Sequence, residues 1–177
     1  MNVFILNTGR CGSMTFIRAC QHIDNFTAGH ETRLKRVGEQ RLAYPDQHIE
    51  ADNRLSWYLG RLDETYGDEA FYVHLSRDPD QVAQSYARRN SFGIMKTLRE
   101  GVLLGGEAEL SAEDLARDYV HTVEANIRHF LRDKSRVLDV RLHRIHDDFA
   151  RFWEAIGAQG DRQAALAEWS IRYNAST

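Results

Sequence analysis

One stretch near the N-terminus constrains the fold more than any other: residues 3–15, VFILNTGRCGSMT. Val3 to Leu6 is a short apolar run that reads as a buried strand. It breaks into a turn holding two glycines, Gly9 and Gly12, a cation, Arg10, and the hydroxyls of Thr8 and Ser13. From Ser13 onward, Met14, Phe16, Ile17 and Cys20 have helical spacing. Strand, glycine loop and helix together make an anion-binding arrangement. Glycines let backbone N–H groups close around an anion, and the helix N-terminus adds partial positive charge. Arg10 adds a full charge and a forked donor geometry suited to phosphate or sulfate oxygens. A plain strand-to-helix turn also favours Gly and Ser, so the loop alone leaves both readings open.

The remaining chain alternates strands with helices. Strands are expected at 2–7, 48–52, 70–75 and 136–142, and helices at 13–23, 54–66, 79–90, 111–132, from 147 or 148 to 156, and 162–171. Asn53 and Asp78 are expected N-caps, Pro79 suits a first helical turn, and Ser111 with Asp114 forms a capping box. Residues 24–32 read as irregular, and 91–108, with four glycines, as a partly ordered loop or lid. Such alternation predicts a parallel sheet with helices on both faces, here a three-layer α/β fold with a central sheet of about four strands. The chain's 177 residues suit one domain, and no linker or repeat divides them. A net charge of −3 supplies no global field for nucleic acid, so an anionic ligand must be met by a local arginine cluster. No apolar run approaches a membrane span or resembles a secretion signal, and a reducing cytoplasm is the expected setting. The two cysteines, Cys11 and Cys20, imply neither a disulfide framework nor a metal cage. Cys11, beside Arg10 and a helix start, has the surroundings that lower a thiol pKa, although a small side chain is often all such a loop needs.

Ligands of open parallel sheets sit at the carboxyl ends of the strands. The strand at 70–75 ends in Ser76, Arg77, Asp78 and Pro79, and Ser85, Arg88 and Arg89 follow on the next helix. A strand-end Arg77 and a helical Ser85 can converge on a second anion. Alone, Arg77 reads better as a partner of Asp78 or Asp80, with Ser85 a surface residue. After a glycine anion loop in the same sheet, the pair suggests a ligand with anionic groups at both ends.

Residues 7–15, NTGRCGSMT, resemble the 5′-phosphosulfate loop of sulfotransferases that use 3′-phosphoadenosine 5′-phosphosulfate (PAPS). Residues 74–86, HLSRDPDQVAQSY, resemble the 3′-phosphate motif of the same family. The resemblance implies a P-loop NTPase-like topology and in-line transfer of a sulfuryl group to a hydroxyl or amine of a small-molecule or carbohydrate acceptor. It requires no metal and leaves 3′-phosphoadenosine 5′-phosphate (PAP) as product. It gives Arg10 the bridging and 5′-phosphate oxygens and the charge developing at the transferring group. Gly9 shapes the cradle, and the backbone N–H groups of Cys11, Gly12, Ser13, Met14 and Thr15, with the Ser13 and Thr15 hydroxyls, hold the 5′-phosphate. Arg77 and Ser85 hold the 3′-phosphate.

Acceptor activation needs a general base. Glu31 is the first candidate and His30 the second, both in the polar segment after the first helix, where carbohydrate and tyrosyl sulfotransferases similarly carry a Glu. Glu50 and Asp52, at the end of the second expected strand, come third. His74 reads as core, and His121, His129, His143 and His146 as surface or packing residues. Arg172 with Asn174 and Ser176 is a weak candidate for the family's C-terminal nucleotide contact. Rival readings are a P-loop kinase, a non-catalytic nucleotide-binding relative, and a Cys11-based phosphatase. The loop lacks the GxxxxGK[ST] pattern of the kinase, which would rely on Asp52 for Mg²⁺, and the Cys-x5-Arg pattern of the phosphatase.

Overall fold

The computed structural model describes residues 1–107 and 109–171. Five strands form one parallel sheet in the order β2-β3-β1-β4-β5: β1 Val3–Leu6, β2 Thr27–His30, β3 His48–Ala51, β4 Phe71–Ser76 and β5 Val137–Arg141. The helices are α1 Ser13–Cys20, α2 Leu59–Tyr66, α3 Pro79–Ala87, α4 Gly93–Thr97, α5 Ala112–Leu131, α6 Ile145–Ala155 and α7 Arg162–Ala167. The α/β class, the parallel sheet and its helical flanks are those expected from the alternation.

β1 is central and buried at every position, which is why its sequence is a continuous apolar run rather than an alternation. On one face of the sheet, Phe4 and Tyr72 are register neighbours whose rings lie 6.0 Å apart. Tyr66 of α2 and Phe130 of α5 close over them. On the other face, Phe16 of α1 meets Phe149 and Phe152 of α6 at 5.2 and 4.9 Å, with Trp169 at 6.0 Å. The helices therefore form outer layers around the sheet, and the carboxyl ends of β1 to β5 share one edge.

Several local expectations are corrected. The sheet has five strands rather than about four, because residues 27–30 form β2, paired in parallel with β3 from Thr27↔His48 to His30↔Ala51. Its sequence, TAGH, has no apolar alternation, as suits a short edge strand held by ladder bonds rather than by packing. The helix expected at 54–66 is a 3-10 turn, Asn53–Trp57, followed by α2, with the Asp52 side chain capping the turn. Segment 91–108 is not merely a loop: it carries α4 and a π-helical turn, Leu98–Val102, anchored by buried Met95 and Leu98. His74 is buried in β4 with Nε2 2.9 Å from Glu124, so its core placement stands. No described helix is long and apolar enough to cross a membrane.

Because Phe16 is fully buried among three aromatic rings, Phe16→Ala should lower unfolding free energy by about 3–5 kcal/mol. Urea unfolding followed by far-UV circular dichroism measures this. A loss below about 1 kcal/mol, the range of a surface substitution, would contradict the packing described.

Candidate active site

The loop after β1 is built by its own side chains. Buried Asn7 accepts from Gly9 N–H at 2.8 Å and donates to the Ile5 carbonyl at 3.0 Å, closing the first turn. Thr8 turns its carbonyl into the protein, where it accepts from both Tyr86 of α3 at 2.7 Å and Tyr119 of α5 at 2.9 Å. Gly9 lies against this clamp at φ +84, and a Cβ there would sit 2.0 Å from the Tyr86 hydroxyl oxygen. Only glycine meets both demands. Arg10 and Gly12 continue in left-handed conformations, φ +60 and +87, and Gly12 is the N-cap of α1. No side chain caps α1, so its opening N–H groups face the cleft with the helix dipole behind them.

That cleft, about 660 Å³, opens along the carboxyl edge of the sheet. It gathers almost every residue expected at the donor site: Gly9, Arg10, Gly12, Ser13, Met14, Thr15, Arg77 and Ser85 line it, together with His30 and Glu31. Arg10 Nε donates to Ser85 Oγ at 3.0 Å, and Arg77 Nη1 donates to the Arg10 carbonyl at 3.3 Å. The two expected anion motifs, 75 residues apart in sequence, therefore touch. Gln81 accepts from Arg77 Nε at 3.1 Å and Nη2 at 2.8 Å, orienting that guanidinium. On the β2 side, Ser13 Oγ and His30 Nε2 are 3.1 Å apart, and Glu31 pairs with Arg54 at 3.0 Å.

Electrostatically the site is lopsided. Among the described residues, Arg10, Arg54, Arg77, Arg88 and Arg89 line it against a single carboxylate, Glu31. Burial, then Arg89, with Arg77 and Arg88 beyond it, holds Arg10 below the usual guanidinium pKa. Arginines gathered at this density repel one another, and an anion among them relieves the repulsion.

Cys11 corrects an expectation. Its backbone belongs to the loop, but its side chain is fully buried, 3.1 Å from Thr8 Oγ1 and 3.2 Å from the Gly9 carbonyl. Burial pushes its thiol up to about 11 rather than down, which removes the phosphatase reading's nucleophile. Glu50 and Asp52, the third-ranked bases, are fully buried and do not line the cleft. The expected contact of Arg172, Asn174 and Ser176 lies outside the described residues.

Sequence reasoning passed over Asn53, Arg54, Leu142 and Trp169, all of which line the cleft. Asn53 and Arg54 had an available signal, their position immediately beyond β3 next to the central strand. Trp169 had none, because long-range packing against Phe16 and Phe149 brings it there.

No protein-family model and no curated protein matches the chain. Among solved structures, a sulfotransferase domain from the curacin biosynthetic pathway superposes with a TM-score of 0.63 at 15% identity, covering 93% of this chain and 81% of its own. The chain has a sulfotransferase fold. At that identity the likeness establishes architecture, and chemistry has to come from the cleft.

A thiol ionising near pH 11 inside the core is a poor nucleophile at neutral pH. Iodoacetamide at pH 7.5 should leave Cys11 unmodified in the folded protein and label it after denaturation, as read by peptide mass spectrometry. Rapid labelling of the native chain would contradict the burial.

Proposed function

We propose that this chain is a sulfotransferase that moves a sulfuryl group from PAPS to a hydroxyl or amine of a small-molecule or carbohydrate acceptor. The observation carrying this reading is the junction of the two anion motifs, Arg10 to Ser85 and Arg77 to the Arg10 carbonyl, within one arginine-rich cleft. A kinase-type glycine loop alone offers no partner for a second phosphate on the ribose.

The donor set fits such a ligand. Among the described residues, the lining has four more arginines than carboxylates. PAPS brings about four negative charges at neutral pH, up to two of them on its 3′-phosphate. Arg77, steadied by Gln81, and Ser85 would take the 3′-phosphate. The N–H groups from Cys11 to Thr15, with the Ser13 and Thr15 hydroxyls, would take the 5′-phosphate, and Arg10 lies between the two. Leu142 and Trp169 form an apolar wall beside Gly12 on which a purine ring can lie. Bound there, the donor supplies an activated sulfuryl group whose in-line transfer spreads charge over oxygens. Fixed positive charge and preorganised N–H donors then provide most of the catalysis.

Glu31 is the preferred base. It accepts the acceptor's proton as the nucleophilic oxygen or nitrogen bonds to sulfur, and Arg54, 3.0 Å away, orients the carboxylate beforehand. His30 ranks second, its Nε2 engaged by Ser13 of the loop. The kinase alternative is weakened by Asp52, its expected metal acid, which is buried and held by Arg41 at 2.5 Å.

Thermal-shift assays should show stabilisation by PAP without Mg²⁺ and little by ATP, whereas a preference for ATP with Mg²⁺ would refute the reading. With ³⁵S-labelled PAPS screened against phenols, sugars and amines, Glu31→Gln should bind PAP normally and lose about 100-fold or more in turnover. Native turnover in that variant would remove Glu31 from the base role.

A further inference from the structure

Two carboxylates at the end of β3, Glu50 and Asp52, are fully buried and stand outside the cleft, yet each is hydrogen-bonded through both of its oxygens. Glu50 accepts from Thr32 N–H at 2.7 Å through one oxygen and from the Thr32 hydroxyl at 2.6 Å through the other, which also lies 2.9 Å from His48 Nε2. His48 Nδ1 in turn lies 2.7 Å from Thr27 Oγ1. Asp52 accepts from Arg54 N–H at 2.8 Å and from buried Arg41 at 2.5 Å. Arg41 also reaches the Tyr44 hydroxyl at 3.3 Å and lies 4.9 Å from the centre of the Tyr58 ring.

These partners are chain neighbours of the Glu31–Arg54 pair. Thr32 follows Glu31 directly, and Glu31 is held at φ +55, a left-handed conformation that costs a non-glycine residue free energy. Two backbone anchors impose it: Glu31 N–H donates to the Ala51 carbonyl at 3.1 Å, and Thr32 N–H to Glu50. The turn folds back so tightly that a Cβ on Gly29 would lie 2.2 Å from the Thr32 methyl. Asp52 fixes Arg54 in the same way, through the backbone of the residue itself. Buried ionic groups are seldom the most stabilising choice for a core, since well-packed apolar residues of similar volume often do as well or better. Their yield is a defined geometry, and here each acid defines one partner of one ion pair.

We propose that Glu50 and Asp52 are positioning residues, Glu50 holding Glu31 and Asp52 holding Arg54, so that the acceptor-facing carboxylate is set before substrate arrives. The catalytic consequence rests on the reading of Glu31 as base, while the positioning itself does not. His48 and Arg41 are the buried cations or donors that make the two acids tolerable in the core.

Glu50→Gln keeps volume and removes one acceptor from the Thr32 turn. Amide hydrogen exchange at Glu31 should accelerate about tenfold or more in this variant, and PAP affinity should stay within about twofold. With the acceptor found in the labelled-donor screen, kcat should fall about tenfold at unchanged donor KM. Glu31→Gln combined with Glu50→Gln should be no slower than Glu31→Gln alone, because one acts through the other. Thr32→Val should reproduce the loss and Thr32→Ser should rescue it, which covers the case in which Glu50→Gln folds poorly. Unchanged exchange at Glu31 in both Glu50→Gln and Thr32→Val would overturn the positioning role. Independent, additive losses in turnover would overturn its catalytic consequence. Accelerated exchange together with native turnover in Glu31→Gln would instead leave the positioning intact and refute only the base assignment.

Discussion

The Thr8 carbonyl and the two tyrosine hydroxyls that donate to it hold the rest of the site in register. Tyr86 comes from α3 and Tyr119 from α5, so a single backbone oxygen ties the central strand's loop to both helices of one layer. The clamp forces Gly9 against Tyr86 and leaves the following residues to turn in left-handed conformations into α1. It also brings Ser85, one residue before Tyr86, within reach of Arg10. Shape and charge in the cleft thus descend from one buried polar contact, whose partners are satisfied inside a dense core.

Five arginines line the cleft around this loop, and burial with the neighbouring Arg89 holds Arg10 below the usual guanidinium pKa. The distribution of this charge matters as much as its amount. Arg77 sits at the end of β4 and Arg10 at the end of β1, on adjacent strands, so the positive charge falls at two points rather than one. Arg54, at the end of β3, is paired with Glu31 instead. In the proposed function, the sheet order would put the acceptor at β2 and β3, the transferring group at β1 and the nucleotide at β4 and β5.

Much of this arrangement was legible in the chain because its signals are local. The apolar run into NTGRCGS, and the strand-to-helix turn at Arg77 to Pro79, write their conformations in consecutive residues. What escaped depends on partners distant in sequence. β2 has one buried position, Gly29, and so no hydrophobic period to read. Glu50 and Asp52 read as strand-end acids and third-choice bases, since nothing near them announces that Arg41 and Thr32 will meet them in the core. Cys11 looked activated because Arg10 is adjacent in sequence, whereas the loop turns the sulfur inward and the guanidinium outward. The likeness to a sulfotransferase domain at 15% identity fits this division, since it extends to the architecture alone.

Two anion subsites in one cleft are the central claim, and calorimetric titration tests it most directly. The dissociation constants of PAP and of adenosine 5′-phosphosulfate, which lacks the 3′-phosphate, should be compared in the native chain and in Arg77→Ala. PAP is predicted to bind at least about tenfold more tightly than the 5′-phosphosulfate in the native chain, in line with about 1.5–3 kcal/mol for a charge-assisted contact. Arg77→Ala should erase that advantage while leaving the 5′-phosphosulfate nearly unaffected. Equal affinities in the native chain, or equal losses for both ligands on removing Arg77, would contradict the account.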